Sequence, residues 1–217
     1  MKFQVPDIKL LKFQALQWAS GFEVCCYLDG NGYADKYSKF DVLIAAGAKN
    51  EITVTGPGAF SQLEAFKKKH CGWLTGFLTY DLKNEIEQLD SDLPDGLHFP
   101  QLHFFEPQHL LILRGNEAEL LSENAGEIWP EIQNQVIKDD HCSPRLNLQS
   151  RFSDNEYIAT VNRIKEHIVR GDLYVTNFCQ EFFAENAVID PLTFFIKLNR
   201  LSPNPFAAFY KLHNQYI

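Results

Sequence analysis

Short apolar and β-branched runs follow one another along this chain with turns between them, and that order constrains the fold more than any other feature. Residues 22–28, 40–46 and 51–55 read as strands, the first followed by the turn-rich Asp29-Gly30-Asn31-Gly32 and the last ended by Gly56-Pro57-Gly58. Gln108 to Leu113 and Ala118 to Leu121 flank Arg114-Gly115-Asn116-Glu117, the form of a β-hairpin whose turn carries glycine. Gly72 to Tyr80 reads as a further strand, interrupted at Gly76. Helices are interspersed with no regular strand-helix-strand alternation. Lys9 to Ser20 sets Leu10, Leu11, Phe13, Leu16 and Trp18 at helical spacing before Gly21, and Ser61 with Glu64 has the form of a capping box for a helix running to His70. The expectation is an α+β fold of largely antiparallel sheets flanked by helices.

Between Lys83 and Pro100 the chain turns polar, with Asp90, Asp92, Pro94, Asp95 and Gly96 marking a surface loop. Lys138-Asp139-Asp140-His141-Cys142-Ser143-Pro144 reads as a linker between segments of different pattern, so a first domain is expected over 1–140, a linker over 141–152 and the start of a second domain over 153–217. Ser153 and Glu156 cap a predicted helix whose apolar face is Ile158, Val161, Ile164 and Ile168, with Gly171 in the stop position. Leu173 to Phe183 alternates like a strand, and Asp190-Pro191 opens another helix.

Composition bounds the function classes. With 45% hydrophobic and 22% charged residues the chain is ordinary globular material, and its eighteen phenylalanines point to aromatic-rich packing. A net charge of −8 disfavours nucleic acid or an anionic membrane as partner, because phosphate binding needs clustered Lys and Arg. The run Lys67-Lys68-Lys69-His70 ends a predicted helix, where it complements the negative end of the dipole. Five cysteines without C-x-x-C spacing suggest reduced, buried thiols, neither a disulfide framework nor a zinc site. No stretch approaches the roughly 18 apolar residues of a membrane span, and the start lacks a signal peptide, so a cytoplasmic location is expected.

Four blocks of sequence carry a resemblance. They are Gly32-Tyr33-Ala34-Asp35-Lys36-Tyr37-Ser38-Lys39-Phe40-Asp41; Gly72-Trp73-Leu74-Thr75-Gly76-Phe77-Leu78-Thr79-Tyr80-Asp81; Gly171-Asp172-Leu173-Tyr174-Val175-Thr176-Asn177-Phe178-Cys179-Gln180-Glu181; and Pro205-Phe206-Ala207-Ala208-Phe209. In this order they resemble the chorismate-utilising enzymes of the anthranilate synthase component I family. The first block is similar to the branch formed by aminodeoxychorismate synthase component I, also called para-aminobenzoate synthase component I. At the turn before the fourth block, anthranilate synthases often read Asn-Pro-Ser-Pro, whereas this chain reads Ser202-Pro203-Asn204-Pro205.

The resemblance implies a largely antiparallel anthranilate synthase-like fold, an amination of chorismate serving folate synthesis, Mg²⁺ held by glutamates, and ammonia from a glutamine amidotransferase subunit. In that branch a Pro-Ile-Lys-Gly-Thr lysine acts as nucleophile; the motif is absent here, so the chain is expected to be the inactive front part of the enzyme, truncated before the catalytic core is complete, with no catalytic or metal-binding residue of its own. The alternatives are anthranilate synthase component I and a non-enzymatic tryptophan-binding regulatory module. The resemblance also implies a tryptophan pocket at Leu28, Asp29, Asn31, Tyr37, Ser38, Phe40, Pro203, Pro205 and Phe206: the rings would form an apolar slot and the backbone near Asp29 and Asn31 would take the amino-acid end. Equally, those rings serve to seal sheets together. Plainer roles are expected elsewhere: Tyr80-Asp81 as a strand end and turn, Glu85 and Glu87 on a solvated face, Asn177 and Gln180 as hydrogen-bonded residues of a buried strand, and His167 as a surface or interface residue.

Overall fold

The computed structural model describes residues 1–34, 36–87, 89–90, 94–137 and 146–217. Its elements are β1 (Lys2–Gln4), α1 (Ile8–Ala19), β2 (Val24–Asp29), β3 (Val42–Val54), α2 (Ala59–Lys69), β4 (Thr75–Leu78), a 3-10 helix Tyr80–Glu85, β5 (Leu102–Arg114), β6 (Glu117–Leu121), α3 (Ala125–Gln133), β7 (Gln149–Ser150), α4 (Asp154–Arg170), β8 (Phe182–Phe183), α5 (Pro191–Leu201), β9 (Ala207–Leu212) and β10 (Gln215–Tyr216). The mixed helices and antiparallel sheet are those expected. The proposed linker falls partly on 138–145, outside the described residues, as does Cys142.

The chain divides into two compact units, residues 1–139 with 191–217, and residues 140–190. The first is built on a sheet of order β1-β6-β5-β3-β2-β9-β10, with β4 added to β5, and every pairing is antiparallel. Because successive strand residues point to opposite faces, Cys25 and Tyr27 join Ile44, Leu111, Phe209 and the residues Leu16, Trp129, Ile132 and Ile196 of α1, α3 and α5 in one core. Val24 and Cys26 join Leu43, Ala45, Ile112, Phe105 and Tyr210 in a second core on the other face. Val54, Ala59, Leu82 and Leu102 form a third, smaller core beside the start of α2. Thus 207–212, far along the chain, supply a central strand to the sheet begun by β2 and β3.

Several local expectations are corrected. The two strands foreseen over 40–46 and 51–55 are one strand, β3, which passes through Gly47 at φ +68° with a register irregularity between Ala48 and Asn50. A bulge keeps the strand continuous while shifting its register. α2 begins before Ser61: Gly58 is its N-cap, Ser61 Oγ donates to the Gly58 carbonyl, and Glu85 Oε1 accepts from the Ala59 N–H at 2.9 Å. Glu85 is exposed, as the sequence reading had it, and is at the same time a tertiary helix cap. The helix α3 was not foreseen; Pro130 within it and the absence of a side-chain cap at Asn124 hide its pattern. Of the cysteines expected to be buried, Cys25 and Cys26 are, while Cys71 and Cys179 are exposed.

In the second unit, β7 pairs with β8, Arg151 Nε meets Glu181 Oε2 at 2.8 Å, and Phe178 packs on Tyr157 and Phe152. α4 has the capping box of Ser153 and Glu156, and ends at Gly171 with φ +83°, as the spacing foretold. The strand expected over 173–183 is not formed; only Phe182 and Phe183 pair. Alternation supplies the pattern of a strand but not the partner it must bond. Asn177 is accordingly exposed, and Gln180 Nε2 donates to the Phe152 carbonyl at 2.9 Å. No described residue of 146–190 is buried, the apolar face of α4 included. No helix among the described residues is long and apolar enough to cross a membrane.

Candidate functional site

Four of the residues singled out from sequence, Asp29, Asn31, Pro203 and Pro205, meet where β2 ends, beside the C-terminal part of α5 and the turn that leads into β9. Register makes the meeting possible, since Asp29 pairs with Ala207 on one side and Val42 on the other. Asp29 is 4% exposed, so its carboxylate needs partners inside the protein. It has three: Lys12 Nζ from α1 and the Tyr27 hydroxyl, each 2.7 Å from Oδ2, and the Asn31 N–H, 2.7 Å from Oδ1. Burial first, then the Asp29 carboxylate, pushes the Tyr27 phenol well above its ordinary range, which keeps it protonated as a donor.

Asn31 stands in the left-handed region at φ +49°, a conformation asparagine tolerates better than most residues. Its carboxamide Nδ2 donates to Asn199 Oδ1 and to the Asn204 carbonyl, both at 2.8 Å, and Asn199 Nδ2 donates back to Asn31 Oδ1 at 3.1 Å. Tyr33 OH reaches the Pro203 carbonyl at 3.5 Å. The Gly30 N–H donates to the Asp41 carbonyl at 2.9 Å, and a Cβ on Gly30 would stand 3.5 Å from that oxygen and 4.0 Å from the Pro205 carbonyl.

Asp29, Asn31, Pro203 and Pro205 are thus gathered at one corner. Leu28 and Phe40 pack on the other face of the sheet, with the second core. Tyr37 is 77% exposed with Lys36 Nζ over its ring, Phe206 is 84% exposed, and Ser38 Oγ bonds the Phe40 carbonyl. Asp35, in the same block, lies outside the described residues. Sequence reading missed Lys12, Tyr27, Asn199 and Asn204. The one available signal was Lys12 itself, a lysine whose helical neighbours Ile8, Ala15 and Leu16 are apolar.

A second polar cluster crosses the opposite core. His103 is fully buried, with Nδ1 2.6 Å from the Tyr210 hydroxyl and Nε2 3.3 Å from Glu51 Oε2. Burial lowers the His103 pKa, with Glu51 opposing, and raises that of Tyr210. In the neutral ring that satisfies both partners, Nε2–H donates to Glu51 and Nδ1 accepts from Tyr210. Among the described residues, no group of three or more His, Cys, Asp or Glu side chains could hold a metal ion.

A sequence model of the family described as chorismate binding enzyme matches residues 23–217. An anthranilate synthase component I-like protein of Synechocystis sp. is 31% identical over 149 residues, covering 65% of this chain and 30% of that protein. The anthranilate synthase component 1 of Buchnera aphidicola subsp. Pemphigus spyrothecae is 26% identical, over 62% of this chain and 28% of its own length. That of Thermus thermophilus is 25% identical, over 65% and 33%. The chain spans about a third of the length of the curated relatives it matches.

Proposed function

Because the chain belongs to the chorismate binding enzyme family, we propose that it is the N-terminal part of an enzyme that aminates chorismate to 4-amino-4-deoxychorismate, for para-aminobenzoate and folate synthesis. The observation that carries this reading is the Gly32-Tyr33-Ala34-Asp35 block, which resembles the aminodeoxychorismate branch and whose Tyr33 hydroxyl reaches the Pro203 carbonyl at the turn before the fourth block. In this reading the 4-hydroxyl of chorismate is replaced by an amino group, with ammonia from a glutamine amidotransferase subunit. Mg²⁺, in this reading, would supply charge neutralisation to the bound substrate. Residues 1–217 alone are inactive.

The corner at Asp29, Asn31, Pro203 and Pro205 is the proposed tryptophan site, with the exposed Tyr37 and Phe206 as its nearest candidate rings in sequence and with Leu28 and Phe40 left to the other face of the sheet. The Asn31 carboxamide, bonded to Asn199 and Asn204, holds the backbone that would take the amino-acid end, so Asn31→Ala should weaken tryptophan binding in calorimetry. A second reading, formation of anthranilate, is favoured by the names of the relatives. Incubating the enzyme that contains this chain with chorismate, Mg²⁺ and ammonium separates the two. Aminodeoxychorismate on chromatography supports the first reading, and fluorescent anthranilate replaces it with the second. Turnover by residues 1–217 alone would show that the chemistry has been assigned to the wrong residues.

A further inference from the structure

Strand β5 is paired on one edge by β3 along its length, but its other edge has a gap. β4 begins opposite Phe105, at Thr75, and β6 ends opposite Leu110, at Leu121, so residues 106–109 face no strand there among the described residues. At about 3.3 Å per residue the gap is roughly 13 Å long. It opens into a groove of about 270 Å³ with Leu110 beneath, Trp73 and Leu121 among its apolar walls, and Lys49, Glu106 and Glu123 around it. Pro107 lies in the gap and offers no N–H, so the edge is a poor template for an added strand. Side chains must do the recognising.

Those side chains have a definite polarity. Lys49 Nζ meets Glu123 at Oε1, 2.8 Å away. Glu106 is held by Asn50 Nδ2 at 3.0 Å and His70 Nδ1 at 3.2 Å, both on Oε2, while its Oε1 faces Gly72, next to Trp73. Each carboxylate therefore keeps one oxygen outside these contacts, and two carboxylates stand against one lysine. The Lys49 pKa is raised, chiefly by its hydrogen bond to Glu123, with Glu106 adding a smaller part. Trp73 is 49% exposed, whereas the other two tryptophans, Trp18 and Trp129, are buried.

We propose that this groove receives an arginine side chain from a partner polypeptide. Trp73, Glu106 and Glu123 line one groove, and an indole together with carboxylate oxygens suits a planar guanidinium, which stacks on a ring and donates in its own plane. The volume fits one such side chain, and a buried arginine anchor is a common centre of binding energy in protein interfaces.

The test is a titration of the full chain with the capped tripeptide acetyl-Gly-Arg-Gly-amide, read by the emission of Trp73 and by its indole N–H resonance. The same tripeptide with citrulline, neutral and similar in shape, is the control. A saturable change is expected, with citrulline weaker by about tenfold for the loss of a charge-assisted pair. Glu106→Gln and Glu123→Gln should each weaken the arginine response, and added salt should do the same. Trp73→Phe should remove the emission change, identifying the reporter. An equal response to citrulline, a response that does not saturate, or one that persists in the Glu106→Gln/Glu123→Gln double variant would overturn the proposal.

Discussion

Asn31 and Asn199 exchange side-chain hydrogen bonds, 2.8 Å in one direction and 3.1 Å in the other, across 168 positions of sequence. With the bond from Asn31 to the Asn204 carbonyl, the pair fastens the turn after β2 to α5 and to the approach to β9. Asn199 is buried, so Asn199→Ala leaves the Asn31 carboxamide short of a partner in a poorly solvated place. The expected cost is about 1–3 kcal/mol. A urea midpoint unchanged within error would show that water replaces the lost bonds.

Lys12 is the counter-ion of Asp29, whose side chain is 2% exposed. Lys12→Met keeps most of the apolar stem and strands the carboxylate with only the Tyr27 hydroxyl and the Asn31 N–H. Removing one member of a buried pair costs about 3 kcal/mol or more. The double variant Lys12→Met/Asp29→Asn should recover part of that loss; if it is no more stable than the single variant, the ion pair is not the cause.

Stability should also fall in mildly acidic solution. Burial lowers the folded-state pKa of His103 and of His109 below their ordinary 6.5. Below 6.5 the unfolded chain takes up protons that the folded chain refuses, so the contribution is fully present above 6.5 and declines as pH falls towards the lowered values. The carboxylates of Glu119, Glu123 and Glu156 are held below 4.5 and add their own loss only in stronger acid. Urea midpoints at pH 7.5 and pH 5 should differ for the wild type, and differ less for His103→Gln/His109→Gln. An equal slope in both would assign the effect to other groups.

Gly76 lies where β4 crosses against β5, and a Cβ there would run into the His103 carbonyl and the Phe104 backbone and ring. The obstruction is backbone, which cannot rotate aside. Gly76→Ala should therefore displace β4 and cost about 3 kcal/mol, at the upper range for overpacking. A thermal midpoint within a degree or two of wild type would mean that β4 shifts without loss.

What could be read in advance was local. Ser153 and Glu156 three apart, the spaced apolar residues between, and Gly171 at the stop specify α4, because every bond involved is made within a few residues. Ser61 and Glu64 have the same spacing and mean something else: the Ala59 N–H is taken by Glu85, 26 residues away, and that competitor is invisible to a local rule. Leu173 to Phe183 alternates as a strand should, yet only its last two residues find a partner. At the candidate site the turn residues Asp29 and Asn31 were legible from their type, whereas Lys12, Tyr27, Asn199 and Asn204 became part of it only because the sheet sets β2 beside β9. The sequence by itself determined the caps of α4, the turn after β2, the mixed antiparallel class and the family, all properties of neighbouring residues or of ordered motifs. The tertiary structure decided which buried polar groups meet, since a carboxylate or carboxamide removed from water must be satisfied by whatever the fold brings within about 3 Å.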